Sequence, residues 1–294
     1  MFEGFEAAQL PTRQADIFVR TGGTGPPLLL LHGFPQNHLM WHAVAPRLRD
    51  RFSLVIPDLR GYGDSTGPAP DPLHVNYSKR VMAADMVEIM AVLGHSRFMV
   101  AGHDRGARVA YRMTLDDPDR VIRLAVLDIL PTLDVWERMR HDSALRSYHW
   151  LFLAQPAPVP ERLIQGNPDF YLEHLLTRMA GRREAVAPGP RSEYARQFRR
   201  APVVEAMCED YRAGATVDAD HDRSDRAAGR RIACPTLVLW ATRYLSSDAA
   251  VPMEIWRRWA DDVREVKLDC GHFVAEEEPE ACAEALENFF SGRL

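Results

Sequence analysis

Arg97-Phe-Met-Val-Ala-Gly-His103-Asp104-Arg105-Gly106-Ala-Arg108 decides the fold. It runs from an apolar strand through a small-x-Asp-x-small pentad into a helix, the setting of a nucleophile elbow. Gly102 and Gly106 flank the central residue because a tight strand-to-helix turn brings their backbones together, and a Cβ there would clash. The Asp104 side chain then projects at the carboxyl end of a sheet, near a helix N-terminus that favours an anion. Aspartate also commonly caps helices, so this segment by itself leaves two readings, a nucleophile and a plain N-cap.

Around this stretch, short apolar runs alternate with amphipathic ones, the pattern of βα units around a mainly parallel sheet. Strands are expected over Asp16 to Arg20, Pro27 to Leu31, Ser53 to Pro57, Phe98 to Gly102, Leu124 to Asp128, Thr236 to Trp240 and Glu265 to Leu268. Helices are expected over Met40 to Leu48, Arg80 to Leu93, Ala107 to Thr114, Met253 to Trp259 and Glu280 to Phe290. Between Asp128 and Cys234 the alternation stops. That stretch, rich in Arg, His, Trp, Tyr and Pro, carries no comparable buried-strand signal and reads as helices joined by loops. The expectation is an α/β core, residues 1–131 and 232–294, with a helical cap inserted over 132–231. No repeat or flexible Gly/Ser linker separates the two.

A serine match, Gly63-Asp64-Ser65-Thr66-Gly67, also fits G-x-S-x-G. Pro68, Pro70 and Pro72 follow it, so no helix can begin there on schedule, and Ser65 reads as a loop residue. His32-Gly33-Phe34-Pro35 follows the strongest apolar strand. The backbone amides of Phe34 and Arg105 are candidates to hold one oxygen of Asp104 as it becomes negative. Asp269-Cys270-Gly271-His272-Phe273 follows the last strand, which makes His272 the candidate base. Of 11 histidines, His32 and His103 also lie at strand ends, but His103 should point away from Asp104 if the elbow forms. An acid must orient His272. Asp128, at a rigid strand end, is preferred over Asp248 in a loop.

The 294 residues carry 46% hydrophobic and 26% charged residues and a formal net charge of −5, a globular composition with no electrostatic reason to bind nucleic acid or an anionic membrane. A small molecule is the expected partner. The start shows no leader pattern and the longest apolar run is too short to span a bilayer, so a cytoplasmic enzyme is expected. The cysteines Cys208, Cys234, Cys270 and Cys282 are widely spaced and read as plain thiols rather than metal ligands or disulfides.

With these residues in hand, the chain resembles the fluoroacetate (haloacetate) dehalogenases of the α/β-hydrolase superfamily over nearly its whole length. The shared segments are Leu31-His-Gly-Phe-Pro-Gln36, Asp58-Leu-Arg-Gly-Tyr-Gly63, Gly102-His-Asp-Arg-Gly106 with Arg108, Leu127-Asp-Ile-Leu-Pro131, Tyr148-His-Trp150 with Phe152-Leu-Ala-Gln-Pro156, Cys208-Glu-Asp-Tyr-Arg-Ala-Gly214 and Gly271-His-Phe273. The first two occur also in epoxide hydrolases; the Asp-Arg, His-Trp and Asp-Tyr-Arg-Ala segments are more specific. The resemblance implies that Asp104 displaces halide from a haloacetate and that His272, oriented by Asp128, activates the water that hydrolyses the ester. It implies that Arg105 and Arg108 hold the substrate carboxylate and that His149, Trp150 and Tyr211 receive the halide. No metal or organic cofactor is implied, and a homodimer is. Without the resemblance, the arginines could be a solvated face and the aromatics cap packing. Where the family often has a cap tryptophan, this chain has Met179, which bears on pocket size. An epoxide hydrolase would use the same Asp104 and His272 with two tyrosines, here Tyr148 and Tyr211, but gains nothing from a guanidinium beside the nucleophile.

Overall fold

The computed structural model describes residues 1–182, 184–245 and 251–294. Its eight strands are β1 Glu6–Pro11, β2 Asp16–Gly22, β3 Pro27–Leu31, β4 Ser53–Pro57, β5 Phe98–His103, β6 Val121–Leu127, β7 Thr236–Ala241 and β8 Val263–Leu268. They form one sheet in the order β1-β2-β4-β3-β5-β6-β7-β8. β1 and β2 pair antiparallel, β2 joins β4 antiparallel, and every pairing from β4 to β8 is parallel. Leu28–Leu31 and all of β5 and β7 are buried, as expected of parallel strands covered on both faces, which read as continuous apolar runs.

The register sets up the site. Leu31 of β3 lies opposite Gly102 of β5, His103 of β5 opposite Leu127 of β6, and Ala241 of β7 opposite Leu268 of β8. Residues 32–34, 104, 128 and the loop after Leu268 therefore leave the sheet along one edge. Every strand expected from the sequence is present. β1 is additional: five of its six residues are exposed, so it carries neither an apolar run nor an alternating face.

The helix expected over Met40 to Leu48 is divided into a 3-10 turn, His38–Trp41, and a short helix, Ala45–Leu48. Pro46 explains the break, since it has no N–H and its ring clashes with the preceding turn. The Lys79–Val92 helix starts at Ser78, whose side chain accepts the Val81 amide. The Arg105–Asp116 helix and the carboxyl-terminal Pro279–Phe290 helix match their expected positions.

Between β6 and β7 the described residues are helical with short breaks from Thr132 to Ala227, including Tyr148–Leu153, Pro168–Met179 and Ala201–Ala215. This stretch is tied to the rest of the protein by buried polar contacts. Tyr62 Oη donates to Asp210 (2.7 Å), the Lys79 amide donates to Asp218 (2.8 Å), and Tyr111 Oη donates to Asp222 (2.8 Å). No helix among the described residues is long and apolar enough to cross a membrane.

Candidate active site

Asp104 sits between β5 and the Arg105–Asp116 helix with φ 45° and ψ −115°, a backbone conformation that L-residues other than glycine rarely adopt. The glycines around it permit this. A Cβ on Gly106 would lie 2.2 Å from the His32 carbonyl oxygen, and one on Gly102 would lie 2.5 Å from the Gly106 backbone. A Cβ on Gly33 would fall 2.5 Å from the Asp104 Cβ. The side chain does not cap the helix it precedes. Instead, Asp104 Oδ1 accepts the Phe34 amide at 2.9 Å, so the plain N-cap reading does not hold. The Arg105 amide lies 2.9 Å from the same hypothetical Cβ on Gly33, on the side where Phe34 approaches.

His272 Nδ1 is 2.6 Å from Asp128 Oδ2, and Asp128 Oδ1 accepts the Ala241 amide at 2.9 Å. Asp128, at φ 55°, is thus held by β7 while it holds the imidazole. Asp248 lies outside the described residues. His272 Nε2 faces Asp104 Oδ2 at 3.7 Å, too long for a hydrogen bond. Burial disfavours the imidazolium, yet the hydrogen bond to Asp128 and the charges of Asp128 and Asp104 raise His272 to about 9. Burial alone would raise Asp104; His272 and Arg105 instead hold it well below the usual carboxylate range. His103 points to the His272 carbonyl, with Nε2 2.8 Å from that oxygen. Burial lowers it to about 3, so the ring is neutral and donates there through Nε2–H. Two contacts beyond the expected residues position this loop: the His272 amide donates to the Met179 carbonyl at 2.9 Å, and the Tyr244 ring lies 4.4 Å from the His272 ring.

The two arginines differ. Arg105 Nε and Nη2 donate to Asp210 Oδ1 at 3.0 and 2.5 Å, and Nη2 also donates to the Asp210 carbonyl at 2.6 Å. Its charge is matched by a buried carboxylate, and only Nη1 has no partner. Arg108, 3% exposed, donates from Nη1 to the Leu130 carbonyl (2.8 Å) and Thr132 Oγ1 (3.2 Å). It has no acidic partner among the described residues, and burial lowers its pKa. Its guanidinium lies 4.5 Å from the Trp150 ring centroid.

His149, Trp150 and Tyr211 gather. Tyr211 is 5.8 Å from each of the other two rings and 5.2 Å from Phe34. Burial lowers His149 to about 3. Asp104, Arg108, Asp128, His149, Trp150 and His272 line one cavity of about 600 Å³. Tyr148, Tyr211 and Arg105 are not among the residues on its wall; the Tyr148 ring packs against His174 at 5.7 Å. Four buried polar atoms here have no protein partner: Arg105 Nη1, Arg108 Nε, Tyr211 Oη and His272 Nε2. Ser65 is remote from this chemistry. It receives the Phe18 amide and donates to the Asp58 carbonyl, while His32 Nε2 accepts the Leu59 amide. No group of three or more side chains suited to a metal occurs among the described residues, and all four cysteines are free.

The sequence family described as the alpha/beta hydrolase fold matches residues 26–279. The chain belongs to the α/β-hydrolase fold family. Within it, the chain is 42% identical to the fluoroacetate dehalogenase of Burkholderia sp., across 99% of this chain and 95% of that protein. It is 30% identical to the soluble epoxide hydrolase of Corynebacterium sp. (strain C12), across 92% of both. Among solved structures, a protein from Nostoc sp PCC 7120 assigned to the α/β hydrolases superposes with a TM-score of 0.96 at 47% identity, covering 99% of each chain. An α/β-hydrolase site built around an aspartate, an acid-paired histidine and a nearby backbone amide has the parts needed for hydrolysis through a covalent ester.

Proposed function

We propose that this hydrolase dehalogenates haloacetates, fluoroacetate and chloroacetate, to glycolate and halide through an ester on Asp104. The observation that carries the reading is Arg108: a buried cation on the wall of the cavity that holds Asp104, within reach of the Asp104 charge but with no ion-pair partner among the described residues. Burying a charge without a counter-charge is expensive, and a substrate carboxylate supplies one. An epoxide supplies none. The 42% identity to a fluoroacetate dehalogenase supports the same choice.

In the first step Asp104 Oδ2 attacks the α-carbon, and the carbon–halogen bond breaks with its electron pair leaving on halide. His149, Trp150 and the partnerless Tyr211 hydroxyl receive that charge, with Arg108 and the free Arg105 Nη1 holding the carboxylate. Alkylation removes the Asp104 charge, one of the two anions that raise His272, so the imidazole releases its proton and becomes a base. Water then gives a proton to His272 Nε2 and attacks the Asp104 carboxyl carbon. The oxygen bonded by the Phe34 amide takes the negative charge; as the intermediate collapses, the bond between the Asp104 carboxyl carbon and the ester oxygen breaks, His272 returns its proton to the departing alkoxide, and glycolate leaves. The helices from Thr132 to Ala227 act as a cap that keeps bulk water from the ester.

Halide release from fluoroacetate and chloroacetate, measured beside diol formation from a simple epoxide, tests this. Halide release with no diol is the expected result; diol formation alone would assign the site to epoxides.

A further inference from the structure

The cavity is larger than a haloacetate needs. At about 600 Å³ it falls within the range of about 300–1,000 Å³ that takes drug-sized ligands, whereas a two-carbon haloacid has a handful of non-hydrogen atoms. From the buried end at Asp104 and Arg108 it opens to an exposed end walled by Arg138, Arg140, Arg146 and Arg178. None of these four has an ion-pair partner among the described residues. Elsewhere on the surface many arginines are paired, among them Arg196 with Asp64, Arg199 with Asp169, Arg226 with Glu137 and Arg231 with Asp261, and those without an ion pair, such as Arg97, Arg162 and Arg257, are scattered in the sequence. Asp142 is the acid at this end and lies 2.7 Å from His141; Arg243, also on the wall, is matched by Asp269. The chain carries a net charge of −5, so this concentration of cations does not follow from a basic composition.

Arg178 is the best positioned of the four. Its Nη2 donates to the Leu145 carbonyl at 2.7 Å, and its guanidinium lies 5.8 Å from the Tyr148 ring centroid. These contacts fix it where the Pro168–Met179 helix meets the His141–Arg146 helix. It directly precedes Met179, whose carbonyl anchors the His272 loop. Its charge bears on both His149 and Tyr244, two residues of the cavity wall.

We propose that Arg178, with Arg138, Arg140 and Arg146, forms a second, outer anion site that holds a carboxylate at the far end of the substrate, so that the preferred substrates are α-halo diacids longer than haloacetate. The proposal rests on the dehalogenase reading. The α-carboxylate and halogen occupy the inner end at Arg108 and Asp104, the carbon chain crosses the cavity, and the terminal carboxylate reaches the arginines. The bonds made and broken at the α-carbon are those already described.

The test uses matched pairs that differ only in the terminal group: 2-chloroglutarate against 2-chloropentanoate, and 2-chloroadipate against 2-chlorohexanoate, with chloroacetate alongside. In the wild-type protein kcat/KM should favour the diacid in at least one pair by about fivefold, the upper end of what an exposed ion pair contributes. In Arg178→Gln that ratio should fall toward one, and Arg178→Lys should restore part of it, with chloroacetate turnover unchanged in both. A wild-type ratio at or below one in both pairs would overturn the outer site. So would an unchanged ratio in Arg178→Gln, or an equal loss on diacid, monoacid and chloroacetate, which would mark a general attractive field rather than a second binding point. Calorimetric binding of adipate and hexanoate needs no turnover, so it separates failure of the outer site from failure of the dehalogenase reading: tighter binding of adipate, lost in Arg178→Gln, is expected.

Discussion

Arg108 and His272 hold charges that the surrounding protein leaves incomplete, and both make predictions. Replacing Arg108 with leucine should impair turnover of chloroacetate far more than of chloroacetamide, since only the acid needs the guanidinium. Losing one partner of a desolvated carboxylate costs roughly 2–5 kcal/mol. Steady-state kinetics on the two substrates decides it, and equal losses would make Arg108 a structural residue. His272 is raised from 6.5 to about 9 by its carboxylate neighbours despite burial. A folded-state value above the unfolded one stabilises the protein fully below the unfolded value and ceases to do so as pH rises through the folded one. The thermal midpoint should therefore fall between pH 7 and 10 more steeply in the wild-type protein than in His272→Asn. Parallel curves from scanning calorimetry would show that the coupling is absent. The proposed nucleophile, base and orienting acid could be singled out in the sequence because each lies at or just after a strand end, where local context suffices. The Arg105–Asp210 clamp was not: its partners lie 105 residues apart, and both were visible only as members of separate motifs.

At the scale of elements, the strand-to-helix turn after β5 works because two glycines leave no room for a side chain. In Gly106→Ala the new Cβ would meet the His32 carbonyl at 2.2 Å, a backbone atom that cannot swing away. The substitution should cost roughly 1–3 kcal/mol of stability and displace Asp104. Denaturation and activity measured together test this, and wild-type behaviour in both would mean that the turn is looser than its geometry indicates. The Tyr148–Leu153 and Ala201–Ala215 helices bring His149, Trp150 and Tyr211 together. Fluoride is the smaller and harder leaving group, so Trp150→Phe and Tyr211→Phe should slow fluoroacetate turnover by as much as about 10² to 10³ and chloroacetate much less. If the fluoride-to-chloride rate ratio keeps its wild-type value in both variants, these rings belong to packing alone. The apolar strands were legible as elements from composition. β1 was not, because an exposed edge strand lacks both an apolar run and an alternating face, and the divided helix at residues 38–48 turned on the single ring of Pro46.

In the whole molecule, eight strands in register deliver four loops to one edge of the sheet, and the helices from Thr132 to Ala227 supply the aromatic and arginine walls of the cavity. Sheet order and wall composition depend on contacts far apart in sequence. The sequence therefore pointed to the reacting residues more clearly than to Tyr244, which packs on His272, or to the arginines at the mouth. In the proposed reaction the intact enzyme passes through a covalent ester on Asp104. His272→Asn cannot take the proton from water, so it should complete the first displacement and stop. Intact-mass spectrometry of that variant after chloroacetate treatment, followed by peptide mapping, measures this directly. A carboxymethyl adduct on the peptide bearing Asp104 is expected; an unmodified protein under conditions where the variant binds substrate, or an adduct on any other residue, would rule out an ester on Asp104.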